Sequence, residues 1–517
     1  MIYKKNKIGR LIPTSLEGIG QLRIYGQNDT EESGFEKPAE IRKTNRSEKK
    51  LLQSIEQALD MTCLADGMTI SFHHHLRNGD SVLMQVVEAI AQKGIKDLTI
   101  CSSSLTKAHE GLIDYIKSGV VTGIQTSGLR GQLAKEVTEN CILPKPVIFR
   151  THGGRARAVE AGEVTIDIAF IAASCCDEMG NMNGKLGPSA FGSMGYPMVD
   201  AQYACQVVAI TDNLVPYPAS PVSIPETLVD YVVQVDSIGD NSLISAGATR
   251  MTKSPRELLI ADYACQVLIH SGYIKNGFSF QAGSGGASLA VIKSLKDYMS
   301  AQNITASFAS GGITSHLVSL LEEGFFECLL DTQTFDRLAV ESFMKNPRHI
   351  EMSASRYANP GAKSCVVDKL DIMILSATEV DTKFNVNVMT TSTGIIMGAQ
   401  GGHPDTAAGA KLRVVVTPLI RKRIPIIVED VMTVVTPGEH IDVVVTERGI
   451  AVNPKRQNLL AKLKKTSLPL MKIEELKNLA EQFTGKPQKI KLGEKIVGII
   501  EYRDGSVIDV IHATAER

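Results

Sequence analysis

The sequence predicts an α/β protein made of two tandem copies of one fold, each with a mostly parallel sheet, and with an active cleft between them. Three observations carry this. Short β-branched runs alternate with stretches of helical periodicity. A long segment of the first half recurs in the second. A glycine-rich turn at 279–286 joins a strand to a helix in the second copy.

With 517 residues the chain exceeds one core, so two or three domains are expected. Its net charge of -1 argues against a nucleic-acid partner held by a general basic surface. The N-terminus lacks the apolar run of a signal peptide and no stretch is long and apolar enough to span a membrane, so a cytoplasmic location is expected. The nine cysteines are odd in number and spaced for neither disulfides nor zinc, which suits buried thiols.

Residues 1–50 are polar and charged and read as a surface extension. From Leu51 the first α/β domain runs to 213, with strands expected at 98–101, 147–149, 166–172 and 207–210, and a helix carrying Val82, Val86 and Ile90. Four prolines within 214–225 can continue neither a helix nor a central strand, so this run is read as the linker. The second domain then spans 226–517. Its strands are expected at 413–416, 424–428 and 496–502, with a helix carrying Ile473, Leu476 and Leu479.

The repeat is direct. Asp167 to Asp177 matches Asp371 to Asp381 at an offset of 204, and the match continues from Asn181 and Asn183 to Asn385 and Asn387. Ser71 and Phe72 align with Ser279 and Phe280, which sets His73, His74 and His75 against the glycine turn. Duplicated folds of this kind pack face to face.

In the turn, Gly283, Gly285 and Gly286 remove the Cβ atoms that would hold a ligand oxygen away, and the following helix adds the positive end of its dipole. Backbone N–H groups of Gly285 and Gly286, with the Gln281 side chain, are therefore candidates for an oxyanion hole. Of the three histidines only His73 and His75 share a strand face, and no third ligand follows at a usable spacing, so no metal site is expected. Cys175 and Glu379, equivalent in the repeat, are read as structural.

Taken in order, the two α/β halves, the turn at 283–286, the strand end Glu379, Val380 and Asp381, the loop 398–405 and the segment 445–451 resemble the CoA-transferase superfamily. Within it they are most similar to the α subunits of bacterial citrate lyases. The resemblance covers nearly the whole chain and implies two CoA-transferase-like domains. It also implies conversion of citrate and acetyl-S-carrier into citryl-S-carrier and acetate, or the same exchange with acetyl-CoA. The implied partners are an acyl carrier protein, whose arm derives from dephospho-CoA, and a citryl-carrier lyase subunit; no tightly bound cofactor is implied for this chain. Citrate needs cations, for which Arg77, Arg150 and Arg155 are candidates, with His73 and His75 beside them. Gly283, Ser284, Gly401 and Gly402 are candidates for holding the pantetheine arm or CoA.

Ordinary members of the superfamily carry CoA on a glutamate after the second strand of the catalytic half. Ser310 and Gly311 stand there instead. The alternatives are an acetyl-CoA hydrolase or acetate CoA-transferase using another acid, a citramalate lyase α subunit, and a non-catalytic scaffold for carrier and lyase.

Overall fold

The computed structural model describes residues 2–27, 49–245, 252–283, 285–488 and 490–514. Two large sheets dominate. In the first, the parallel order is Val147–Phe149, Val121–Thr126, Leu98–Ser102, Thr69–Phe72, Ile168–Ala173, Gln206–Thr211 and Tyr231–Gln234, with Leu51–Leu52 at one edge. In the second it is His349–Glu351, Phe326–Thr334, Ala306–Ile313, Ser279–Ala282, Ile372–Ser376, Leu412–Val416 and Val443–Thr446, closed by antiparallel Gly449–Val452. The seven parallel strands correspond one for one, as the repeat predicts. Both faces of each sheet are covered, which is why Ile168–Ala173 and Val443–Thr446 read as unbroken apolar runs rather than alternating ones.

Each half also carries a small three-stranded sheet built from the repeated segment. Cys175–Asp177 pairs with Met182–Asn183 and Leu214–Val215; Glu379–Asp381 pairs with Val386–Asn387 and Ile427–Val428. Asp177 accepts the N–H groups of Met179, Gly180 and Asn181, and Asp381 those of Lys383 and Asn385. Sequence identity between the halves thus marks one turn used twice.

The proline-rich run 214–225 does not separate the sheets. Tyr231–Gln234, beyond it, pairs with Gln206–Thr211 in the first sheet, so the crossing to the second half falls after Ile244. The prolines shape a loop that is tied down: the Ala219 N–H donates to Asp177, the Pro221 carbonyl accepts from Asn183, and Ser223 donates to Glu351. The C-terminus departs from expectation more sharply. Strand Leu492–Glu501 lies parallel to Val147–Phe149 and Val507–Thr514 folds back on it, so 492–514 completes the first sheet, not the second.

That returning hairpin gives the start of the chain its place. Ile12, Leu16 and Ile24 bury against Ile148, Ile496, Ile499, Val507 and Val510, so residues 2–27 form a cap on the edge of the first sheet. The remainder of the expected extension, 28–48, lies outside the described residues. Among the described residues no helix is long and apolar enough to cross a membrane, and no group of three or more His, Cys, Asp or Glu side chains is arranged to hold a metal ion.

The halves meet along the carboxyl ends of their strands. The Leu129 N–H donates to the Gly398 carbonyl at 3.1 Å, Gln400 N–H to Ser127 at 2.8 Å and His152 N–H to Gly401 at 2.9 Å. On the other side Ala354 N–H donates to Gly195 at 2.7 Å. Gln333 Nε2 reaches the His74 carbonyl at 3.1 Å.

Candidate active site

Between these contacts lies a cavity of about 590 Å³ walled by both halves. Among the described residues none that lines it is Asp, Glu, Lys or Cys, and the charged side chains on its wall are Arg77, Arg130 and Arg421. Arg77 sits on a turn with φ +55°, its guanidinium carbon 4.9 Å from the centre of the Phe335 ring. Its Nη1 is buried and has no hydrogen-bond partner among the described residues. Burial, and then the charge of Arg130, push Arg77 down to about 10. Two guanidinium groups without a carboxylate between them make a site whose missing component is an anion.

The other two arginine candidates are occupied. Arg150 is paired with Glu501 at 2.7 Å, and Arg155 with Asp200 at 2.6 Å; neither lines the cavity. The histidines are a second correction. His73 and His75 do converge, with ring centres 6.0 Å apart, but inside the protein: His73 lies 3.3 Å from Asp200 and His75 stacks on Phe191. It is His74 that lines the cavity, stacked on Tyr196 and bonded through Nδ1 to Ser103 at 2.6 Å. Burial, followed by the neighbouring His152, holds His74 well below the usual imidazole range. His152 and His403 also line the wall and are pushed down to about 3 and about 4, chiefly by burial. All three imidazoles are neutral near pH 7.

The glycine turn stands opposite. Gly283 donates its N–H to Ile374 at 2.9 Å, continuing the sheet, whereas among the described residues the N–H groups of Gly285 and Gly286 have no acceptor. They begin the 17-residue helix Gly286–Gln302, whose first turn presents unpaired N–H groups and a positive dipole end. Gly285 has φ -70° and ψ 148°, open to any residue, and a Cβ there would meet nothing nearer than 3.8 Å. Neither backbone strain nor packing requires glycine at this point, and the room in front of it is the cavity. Ser284 lies outside the described residues.

Gln281 is fixed from two sides. Ser310 donates to its Oε1 at 2.9 Å and its Nε2 donates to the Tyr357 hydroxyl at 2.7 Å, which leaves one amide hydrogen free beside the cavity. Gly311 has φ +97° and a Cβ there would lie 2.4 Å from Gln281 Nε2. A side chain at the position where the superfamily shows glutamate would need a left-handed backbone and would displace the Gln281 amide. Gly401, with φ +53°, and Gly402 line the cavity too, but a Cβ on Gly402 would sit 2.5 Å from the Tyr357 hydroxyl, a packing constraint. Glu379 is absent from the wall; it accepts from Asn387 and from the Met432 N–H, and burial raises it.

A family model for the alpha subunit of citrate lyase matches residues 48–514. The chain belongs to the citrate lyase alpha subunit family. It is 52% identical over 465 residues to the citrate lyase alpha chain of Haemophilus influenzae, covering 90% of this chain and 93% of that one. With the Klebsiella pneumoniae chain the identity is 51% over 468 residues, covering 90% and 92%. A Streptococcus mutans structure described as a citrate lyase alpha subunit in complex with citrate superposes with a TM-score of 0.94 at 51% identity, over 99% of this chain and 100% of that one. A Pseudomonas malonate decarboxylase hetero-tetramer chain superposes with a TM-score of 0.62 at 17% identity, over 84% and 86%, which bears on the fold alone.

In this member of the citrate lyase alpha subunit family one buried acid links both halves and the C-terminal hairpin. Asp405 accepts from Thr151 Oγ1 at 2.9 Å and Gly153 N–H at 3.0 Å, with Arg503 Nε at 3.5 Å. Burial raises its carboxyl to about 6, against the opposing charge of Arg503. A raised folded-state pKa adds stability as pH falls below about 6 and withdraws it as pH rises through that value. Asp405→Asn, which cannot titrate, should therefore gain on the parent between pH 5 and pH 7. The gain should be roughly 1 kcal/mol, read from the gap between their denaturant midpoints at the two pH values.

Proposed function

We propose that this chain is the acyl-carrier transferase of a citrate lyase complex, converting citrate and acetyl-S-carrier into citryl-S-carrier and acetate. The observation that carries the reading is the cavity wall: among the described residues it holds arginines for a polyanion and no carboxylate, thiol or amine to form an acyl-enzyme. Its serines have no imidazole bonded to their hydroxyls; the hydroxyl paired with His74 belongs to Ser103, which is fully buried and off the wall. The nucleophile then comes from the substrate.

Arg77 and Arg130 hold citrate carboxylates, one of which adds to the acetyl carbonyl. The tetrahedral oxyanion is met by the Gly285 and Gly286 N–H groups and the free Gln281 amide hydrogen. It collapses by expelling the carrier thiolate and leaves an acetyl–citryl anhydride. The thiolate adds to the citryl carbonyl, and acetate departs with the bridging oxygen. No proton is gained or lost overall, which suits a wall whose imidazoles stay neutral. Gly283, Gly401 and Gly402 border the path of the pantetheine arm, and acetyl-CoA serves as a surrogate for the carrier. The Streptococcus mutans relative, determined with citrate, supports the choice of polyanion. The partners required are the acyl carrier protein and the lyase subunit that cleaves the carbon–carbon bond, in the cytoplasm.

A single turnover with citrate labelled by ¹⁸O in its carboxylates tests the route. Acetate should carry one labelled oxygen, with no change in protein mass. Unlabelled acetate with a CoA adduct on a glutamate would mean an ordinary CoA-transferase; unlabelled acetate without an adduct would mean hydrolysis.

A further inference from the structure

Outside the cavity, its wall continues into a basic surface. The hairpin of Ile420–Arg421 and Ile424–Pro425 puts Arg421 on the cavity wall and leaves Lys422 and Arg423 exposed. Beside it is a groove of about 500 Å³ bordered by Arg256, Leu259, Ile420, Arg448 and Phe483. Arg256 donates to the Ile420 carbonyl at 3.2 Å, joining the hairpin to the helix Pro255–Ser271. Just before that helix, Thr252 N–H donates to the Gly286 carbonyl at 3.5 Å. The hairpin therefore borders both groove and cavity, and the helix that lines the groove starts beside the glycine turn.

The cations here are unspent. Nearby Lys383 and Lys477 are paired with Asp430 and Glu429, but among the described residues Arg256, Arg421, Lys422, Arg423 and Arg448 have no carboxylate partner. Glu447, the acid of the groove, accepts the Leu419 N–H. Phe483 is 55% exposed, with the Arg448 guanidinium 5.6 Å from its ring centre, and Leu258, Leu259 and Ile424 are exposed around it. In a chain of net charge -1 this is a local concentration of charge around an exposed apolar centre.

Resting on the transferase reading, we propose that the groove is the docking site of an acidic carrier protein. Its acids face Arg256, Arg423 and Arg448, an apolar residue seats against Phe483 and Leu259, and its thioester arm enters past Arg421. A free nucleotide would satisfy the cations but leave the aromatic and aliphatic centre uncovered; a folded protein covers both.

The test compares the full-length parent with Arg423→Glu/Arg448→Glu and, separately, Phe483→Ala. Binding of the holo carrier subunit of a citrate lyase complex is followed by calorimetry. Turnover is followed with S-acetylpantetheine, a thioester without charge. Both variants should bind the carrier roughly tenfold more weakly or worse and turn over S-acetylpantetheine like the parent. Added salt should weaken parent binding more than that of the charge-reversed variant. Unchanged carrier binding in both variants overturns the proposal, as does loss of S-acetylpantetheine turnover in step with carrier binding in both. If the parent turns over neither S-acetylpantetheine nor the acetylated carrier subunit, the transferase reading fails, while the binding comparison still decides the docking site.

Discussion

Replacing Arg77 with methionine should raise the KM for citrate on the order of a hundredfold, with the melting temperature close to that of the parent. Removing one partner of a desolvated charge pair costs about 2–5 kcal/mol, roughly 30-fold or more in affinity. Stability should hold because, among the described residues, Arg77 makes no ion pair and its Nη1 lacks a partner, and because methionine keeps a long side chain over Phe335. The backbone at φ +55° is as strained for methionine as for arginine, so that cost cancels. Arg77→Lys should recover only part of the affinity, since an ammonium cannot bind a carboxylate through two parallel hydrogen bonds. Arg130→Met should cost less, because Arg130 is the more exposed of the two residues. A citrate KM unchanged in Arg77→Met would remove Arg77 from the anion site.

The duplicated architecture was legible because the repeated segment holds a turn whose hydrogen bonds depend on Asp177 and Asp381 in both halves. The boundaries were not. Proline content marks where regular structure is interrupted, and 214–225 is interrupted, yet the chain re-enters the first sheet at Tyr231. The pairing of Leu492–Glu501 with Val147–Phe149 joins segments some 350 residues apart through edge hydrogen bonds and ordinary β-branched side chains. Nothing local announces such a partner.

The site divides along the same line. The glycine turn and Gln281 were found because glycine leaves a visible mark, whereas an arginine's role depends on whether a carboxylate reaches it. Arg150 and Arg155 are neutralised by Glu501 and Asp200, which lie 351 and 45 residues away. Arg130 was missed, although glycines at 128 and 131 flank it at a strand-to-helix junction, the same kind of place as the turn at 283–286. The alternation of the three histidines was legible, but which face meets the cleft was not. The strand ends at Phe72, yet the rings still alternate: His73 and His75 lie together inside the protein and His74 faces the cavity.

Gly285→Val should fold like the parent and lose on the order of 10² to 10³ in kcat, the loss typical of one oxyanion donor. The backbone at Gly285 is already in a region that β-branched residues favour, and the nearest atoms to its Cβ, on Ser288 and Ser376, stand 3.8 Å away. The protein therefore admits the side chain, and the methyl groups would occupy the space where the substrate carbonyl must approach the Gly285 and Gly286 N–H groups. Gly402→Val supplies the contrast, because its Cβ would press on the Tyr357 hydroxyl at 2.5 Å and should lower the melting temperature by several degrees. Gly285→Ala, with one methyl group, should fall between parent and valine in kcat. Full turnover in a folded Gly285→Val protein would take the oxyanion away from the glycine turn and leave Gln281 as the donor.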